Sequence, residues 1–174
     1  YKLAPSYKAN LENLNYYVGM GATAEAVAGK YNISREAADK FSYDSHMKAA
    51  SAIDGGKFKD QIVPIEIEEV FVADGKRKTK THTVSVDEGV RRETSLEGLA
   101  KLRPAFKIGG TVTAGNASQT SDGAAFTLVV SEEMVKQLNL KPIARMAGCA
   151  VGGVEPLYMG IGPCIAIPKV LRQA

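Results

Sequence analysis

Apolar and polar positions along the first part of the chain recur at helical spacing. Residues 22–31 read as a short helix stopped by Asn32, and Ser34 caps a longer helix that runs to about Ile53. Ala37, Phe41, Ala49, Ala52 and Ile53 fall mostly on one face of that helix, with Arg35, Glu36, Asp39, Lys40 and Lys48 expected in water. Gly55-Gly56 ends it. The period then drops to two. Ile65 and Ile67 alternate with Glu66 and Glu68 as in a half-buried strand, which Pro64 starts or confines to an edge. Asp74-Gly75 signals a hairpin turn, with the returning strand at residues 79–86. Residues 94–102 read as an amphipathic helix stopped by Pro104.

After Gly123 the texture changes. Residues 124–130 form a nearly continuous apolar run, the pattern of a strand covered on both faces. Ser131-Glu132-Glu133 caps a helix that ends near Asn139, and residues 143–151 read as a core strand. Gly152-Gly153 and Pro156 turn the chain into a last helix within residues 165–173, where Pro168 is expected only in the first turn. Residues 1–120 are thus mixed and looped, opening on a polar loop at 1–15. Residues 121–174 read as strand, helix, strand, turn and helix from a layered α/β core. No internal repeat or low-complexity tract is visible.

Composition narrows the function classes. The 174 residues carry a net charge of +3, too little for the basic stripe that nucleic acid requires. That sum leaves room for a small anionic ligand, because local potential decides such binding. No apolar run approaches the roughly 18–20 residues that cross a bilayer, so no membrane partner is expected. No signal peptide is visible, and the opening Tyr1 implies that the true N-terminus lies elsewhere. Two cysteines make no disulfide framework, which suits a reducing, cytoplasmic setting.

Four features invite a chemical reading. Gly19-Met20-Gly21-Ala22-Thr23-Ala24 nearly fits a dinucleotide fingerprint, but no buried strand precedes it and no acidic residue ends a following strand. Its glycines fit close approach of backbone to a ligand or a tight helix start. Lys76-Arg77-Lys78 with Lys80 reads as a solvated turn that discourages edge pairing, or as contact with a phosphorylated ligand or neighbouring subunit. His46, His82, Cys149 and Cys164 have no metal-ligand spacing, so no metal site is expected. Cys149 sits in an apolar segment as inert packing, and Cys164 lies near a helix start where a thiol is more acidic. Last, residues 109–118 (GGTVTAGNAS) hold no bulky side chain. Such a run contributes little to a core and suits a backbone lying against an extended ligand.

That run, preceded by Arg103-Pro104-Ala105-Phe106 and followed by Ser121-Asp122-Gly123-Ala124-Ala125, resembles the segment that closes the CoA-binding loop domain of thiolases. GMGATAEAVA at 19–28, Ser34-Arg35-Glu36, Phe58-Lys59-Asp60, Ile62-Val63-Pro64, Asp87-Glu88-Gly89-Val90-Arg91 and Met159-Gly160-Ile161-Gly162-Pro163 follow in the same order, so the resemblance covers nearly the whole chain. It implies an α/β fold layered α-β-α-β-α and present only in part. Residues 1–120 would be most of the inserted CoA-binding loop domain, 121–141 the end of the first core half, and 142–174 the start of the second.

The resemblance also implies chemistry. Thiolases transfer an acyl group between a cysteine thioester and CoA, either in 3-ketoacyl-CoA thiolysis or in acetyl-CoA condensation. The cysteines and histidine that do so are expected outside these residues, so no catalytic residue is assigned and the chain alone is expected to be inactive. Acyl-CoA and CoA enter as substrates, with no tightly bound cofactor. The expected partners are the remaining thiolase segments and further copies in a homodimer or homotetramer. By resemblance Ser118 lies beside the thioester end of pantetheine, and Ala114 and Phe106 line its tunnel. Leu99, Leu102 and Ala105 pack around CoA, Arg91 lies near its nucleotide end, and Met20 faces the acyl or pantetheine channel. Gly98 stands where many relatives carry a serine. Gly19 stands where short-chain biosynthetic thiolases carry a histidine, which favours the broader 3-ketoacyl-CoA type. A non-catalytic thiolase-like protein that binds acyl-CoA or lipid is the alternative.

Overall fold

A computed structural model describes residues 15–174, so the polar loop expected at 1–15 lies, but for Asn15, outside the described residues. In chain order the elements are α1 (Met20–Lys30), α2 (Arg35–Asp54), a 3-10 turn (Lys59–Gln61), β1 (Ile65–Ala73), β2 (Lys76–Val84), α3 (Leu96–Ala100), α4 (Glu132–Gln137), a second 3-10 turn (Pro156–Ile161) and α5 (Gly162–Leu171). They fall into two compact units. One is residues 35–103, and the other joins the residues up to 34 with 104–174.

In the first unit, α2 ends as its glycines require. Lys57 N–H returns to the Ala52 carbonyl at 3.0 Å, with Gly56 at φ 68°. The buried stripe of α2 differs from the expected one. Asp39 and Ala50 are buried, whereas Phe41 is 78% exposed. Asp39 is carried inward because Arg35 Nε donates to it at 2.6 Å, so the burial of one charge is offset by the other. Arg35 Nη2 also donates to the Leu99 carbonyl at 2.5 Å, and α3 packs on α2 there. Leu99 is buried, and Ser95 caps α3 by accepting Gly98 N–H at 3.0 Å.

β1 and β2 pair antiparallel from Ile65 opposite Val84 to Ala73 opposite Lys76. The two-residue turn places Asp74 at φ 55° and Gly75 at φ 69°, the left-handed pair that matches strand twist. Pairing therefore runs up to the turn, and β2 starts at Lys76 rather than 79. The expected half-burial is not found: both strands are exposed almost throughout. Alternation marks which residues share a face, but burial needs a second layer, and the described residues put none on this hairpin.

In the second unit, Asn32 at φ 52° stops α1, with Ile33 N–H closing on the Ala28 carbonyl at 2.9 Å. The second 3-10 turn packs on α1, with Lys30 Nζ 3.9 Å from the centre of the Tyr158 ring. Ser131 caps α4 and Asn139 follows it at φ 49°, as the pattern predicts.

The segments 124–130 and 143–151 form no ladder, and Phe126, Leu128, Ile143 and Met146 are exposed. A strand is a paired object, and its side-chain pattern does not supply the partner whose N–H and C=O groups complete it. Cys149 is accordingly exposed instead of packed. α5 begins at Gly162, three residues before the expected start, so Pro168 lies inside it. Pro163 occupies the first turn, where a missing N–H costs nothing.

Candidate functional site

The small-residue run at 109–118 is held by polar side chains instead of a core. Ala105 N–H donates to the Val112 carbonyl at 2.9 Å, Pro104 and Thr113 form an isolated bridge, and Gly109 turns the chain at φ 67°. Beyond that turn stands Glu25, on α1 and 7% exposed. Its carboxylate accepts Val112 N–H at 2.8 Å and Thr111 N–H at 3.0 Å, and the Thr111 hydroxyl at 3.3 Å. Burial by itself pushes this carboxyl up. The hydrogen bonds from Thr111 and Val112, helped by Lys107, outweigh it and hold the group below its usual range. Gly110 is what allows the approach: a Cβ there would lie 2.2 Å from Glu25 Oε1.

The next turn is sewn by Asn116. Its Oδ1 accepts Thr113 N–H at 2.8 Å and its Nδ2 donates to the Thr111 carbonyl at 2.9 Å. Thr113, fully buried, accepts Gly115 N–H through its hydroxyl at 3.2 Å. With the inward groups satisfied by one another, the outward ones after the first turn are Ala114, Ala117 and Ser118, all exposed. The Ser118 hydroxyl has only a long contact, 3.4 Å, to the Gln119 carbonyl.

Phe106 leaves the start of the loop and lies on α1. A Cβ at Gly21 would come within 2.3 Å of its ring, so the glycine makes room for the aromatic. Met20, next to that glycine, is 72% exposed. Ala105 and Phe106 are thus held between the loop and α1, Met20 stands on that helix, and Ala114 and Ser118 lie further along the loop with no hydrogen bond to α1 among the described residues.

Of the other three predicted residues, all in the unit of residues 35–103, Leu99 is buried under the Arg35 bond and Leu102 is partly exposed. Arg91 is exposed, and its N–H donates to His46 Nδ1 at 3.1 Å. A concavity of about 350 Å³ lies among α1 residues, Lys107 and 109–111, and none of the eight predicted residues lines it. Lys78 of the basic cluster pairs with Asp74 at 2.8 Å on the surface. Among the described residues, no group of His, Cys, Asp and Glu is disposed to hold a metal ion. None of their helices is long and apolar enough to cross a membrane.

Sequence reasoning missed Glu25, Thr113 and Asn116. A signal for Glu25 existed: it stands four residues after Gly21, on the same helix face, among alanines and Val27, where a charge needs a partner.

The loop of small residues is thus locked from behind by Glu25 and Asn116, with an aromatic laid on the supporting helix. The family described as thiolase, N-terminal domain, matches residues 5–133, and the chain belongs to the thiolase family. The 3-ketoacyl-CoA thiolase of Bacillus subtilis is 51% identical over 160 residues, which cover 91% of this chain and 41% of that protein. The crystal structure of the Bacillus anthracis acetyl-CoA acetyltransferase is similar with a TM-score of 0.78 at 45% identity, over 90% of this chain and 38% of that one. That of human mitochondrial 3-ketoacyl-CoA thiolase in complex with CoA matches with a TM-score of 0.73 at 42% identity, over 90% and 36%. The chain spans about two-fifths of the length of these relatives, and its α/β fold is a part of theirs.

Proposed function

We propose that these residues are the coenzyme-holding segment of an acyltransferase that moves an acyl group between a cysteine thioester and CoA, in 3-ketoacyl-CoA thiolysis or acetyl-CoA condensation. The observation that carries the reading is the loop at 109–118. Its inward polar groups are satisfied by Glu25, Thr113 and Asn116, and its outward surface includes Ala114, Ala117 and Ser118.

A pantetheine arm is long, flexible and mostly uncharged. It binds well only where the cost of ordering falls on one partner, so a holder already locked in shape is an advantage. In this reading Ala114 and Phe106 flank the arm, Ser118 offers its hydroxyl near the thioester, and Met20 borders the acyl channel. Leu102 and Ala105 pack on the coenzyme, and Arg91 supplies a cation toward the anionic nucleotide end; Leu99, 4% exposed, supports its segment from inside and does not touch the ligand. Keeping the thioester still contributes part of the roughly 7–11 kcal/mol that orientation can remove from a barrier. The nucleophile and its base are not assigned to these residues. A homodimeric or homotetrameric assembly in the cytoplasm completes the proposal.

Ser118→Trp in the intact protein tests it. Indole at that position fills the space given to the thioester end, and CoA affinity by calorimetry is expected to fall at least about ten-fold, the equivalent of 1.4 kcal/mol. Unchanged affinity removes the loop from the binding site.

A further inference from the structure

We infer that His46 is a positioning residue for the nucleotide end of the coenzyme, acting through the main chain of Arg91; this rests on the functional reading above. The residues of α2 that reach the segment 91–99 share one stripe. Arg35 holds the Leu99 carbonyl at 2.5 Å, His46 accepts Arg91 N–H at 3.1 Å, and Asp54 accepts from Arg92 Nη1 at 2.8 Å. Asp39 and Ala50, the buried residues of the helix, lie on the same stripe. The helix thus fastens the segment at three places along about 19 residues, or some 28 Å at 1.5 Å per residue.

The two arginines at one end of this segment are treated differently. Arg92 has its side chain committed: the bond from its guanidinium holds the Asp54 carboxyl below the usual range. Arg91 has its main chain committed and its side chain outward, with no hydrogen bond or ion pair of its guanidinium among the described residues. A cation meant for an anionic ligand needs that arrangement. The backbone is fixed in advance, so less ordering remains for binding, while the charged end keeps its donors for the ligand. To accept at Nδ1, the imidazole is neutral with its proton on Nε2. His46 therefore sets where Arg91 starts from, without touching the ligand.

The experiment compares CoA with 4′-phosphopantetheine, which lacks the adenosine portion, by calorimetry on the intact protein. Wild type is expected to bind CoA more tightly than the truncated ligand. His46→Leu, which removes the acceptor, is expected to weaken CoA about five-fold, the size of one lost hydrogen bond, and to leave 4′-phosphopantetheine unchanged. His46→Asn places a carbonyl oxygen near the position of Nδ1 and is expected to restore CoA affinity to within about two-fold. His46→Ala, compatible with the helix, is expected to repeat the leucine result.

An unchanged CoA affinity in the leucine and alanine variants overturns the inference. So does equal weakening of both ligands, which marks a general structural role, and so does failure of asparagine to restore binding. A wild-type protein that binds the two ligands equally overturns instead the placement of Arg91 at the nucleotide end, and the inference with it.

Discussion

Glu25→Gln is the substitution that isolates what holds the loop. Glutamine keeps the length and shape of the side chain but removes the charge and turns one acceptor into a donor. In the native protein the carboxylate takes two backbone N–H groups, from Val112 at 2.8 Å and Thr111 at 3.0 Å, and the Thr111 hydroxyl at 3.3 Å. Hydrogen bonds to a charged group contribute about 1.5–3 kcal/mol and neutral ones about 0.5–1.5, so two N–H contacts lose on the order of 1–3 kcal/mol together. Glu25→Ala goes further, leaving two partly buried donors without acceptors at a cost of roughly 2–4 kcal/mol.

The assay is urea unfolding of the intact protein at several pH values. The sign follows from the lowered carboxyl. Its contribution is complete above the ordinary value of 4.5 and is lost as the pH falls through the depressed value in the folded state. Wild type should therefore lose stability below about pH 4.5 relative to Glu25→Gln, which has no proton to take up. Equal midpoints for the two proteins at pH 7, with parallel decline on acidification, would refute the claim that this carboxylate organises the loop.

Other substitutions probe the same assembly from different sides. Gly110→Ala puts a Cβ 2.2 Å from Glu25 Oε1. It should displace the carboxylate, destabilising by about 1–3 kcal/mol and lowering CoA affinity; a calorimetric titration identical to wild type would contradict this. Gly21→Ala drives a Cβ to 2.3 Å from the Phe106 ring, which is 54% exposed and has room to swing away. The melting temperature is expected to change little while CoA binding weakens, and the reverse pattern would mean that Phe106 serves packing and not the ligand.

Much of the local structure was legible in the residues. Asn32, Gly56, Asp74-Gly75 and Asn139 mark stops and turns because the left-handed conformations they adopt are costly for most other side chains. Ser95 and Ser131 mark helix starts because their hydroxyls accept an N–H that the helix leaves over. The outward side of the loop was legible as a run without bulk. Its fastening was not, since Glu25 and Val112 are 87 residues apart and no local pattern pairs them. His46 was equally opaque, as an imidazole in mid-helix whose partner is a backbone N–H 45 residues away.

By itself, then, the sequence determined what nearest neighbours along the chain decide: where helices begin and end, the hairpin and its turn, and the motifs shared with thiolases. The tertiary structure alone decided burial and partnership. It turned Asp39 inward and Phe41 outward, because α3 packs on the Arg35 side of α2 and, among the described residues, no layer covers the ring. It left residues 124–130 and 143–151 without a ladder, since a strand's hydrogen bonds belong to two segments at once. The physical reason is the same in each case: capping and turn energies act over a few residues, while desolvation and hydrogen-bond satisfaction depend on whatever the fold brings near.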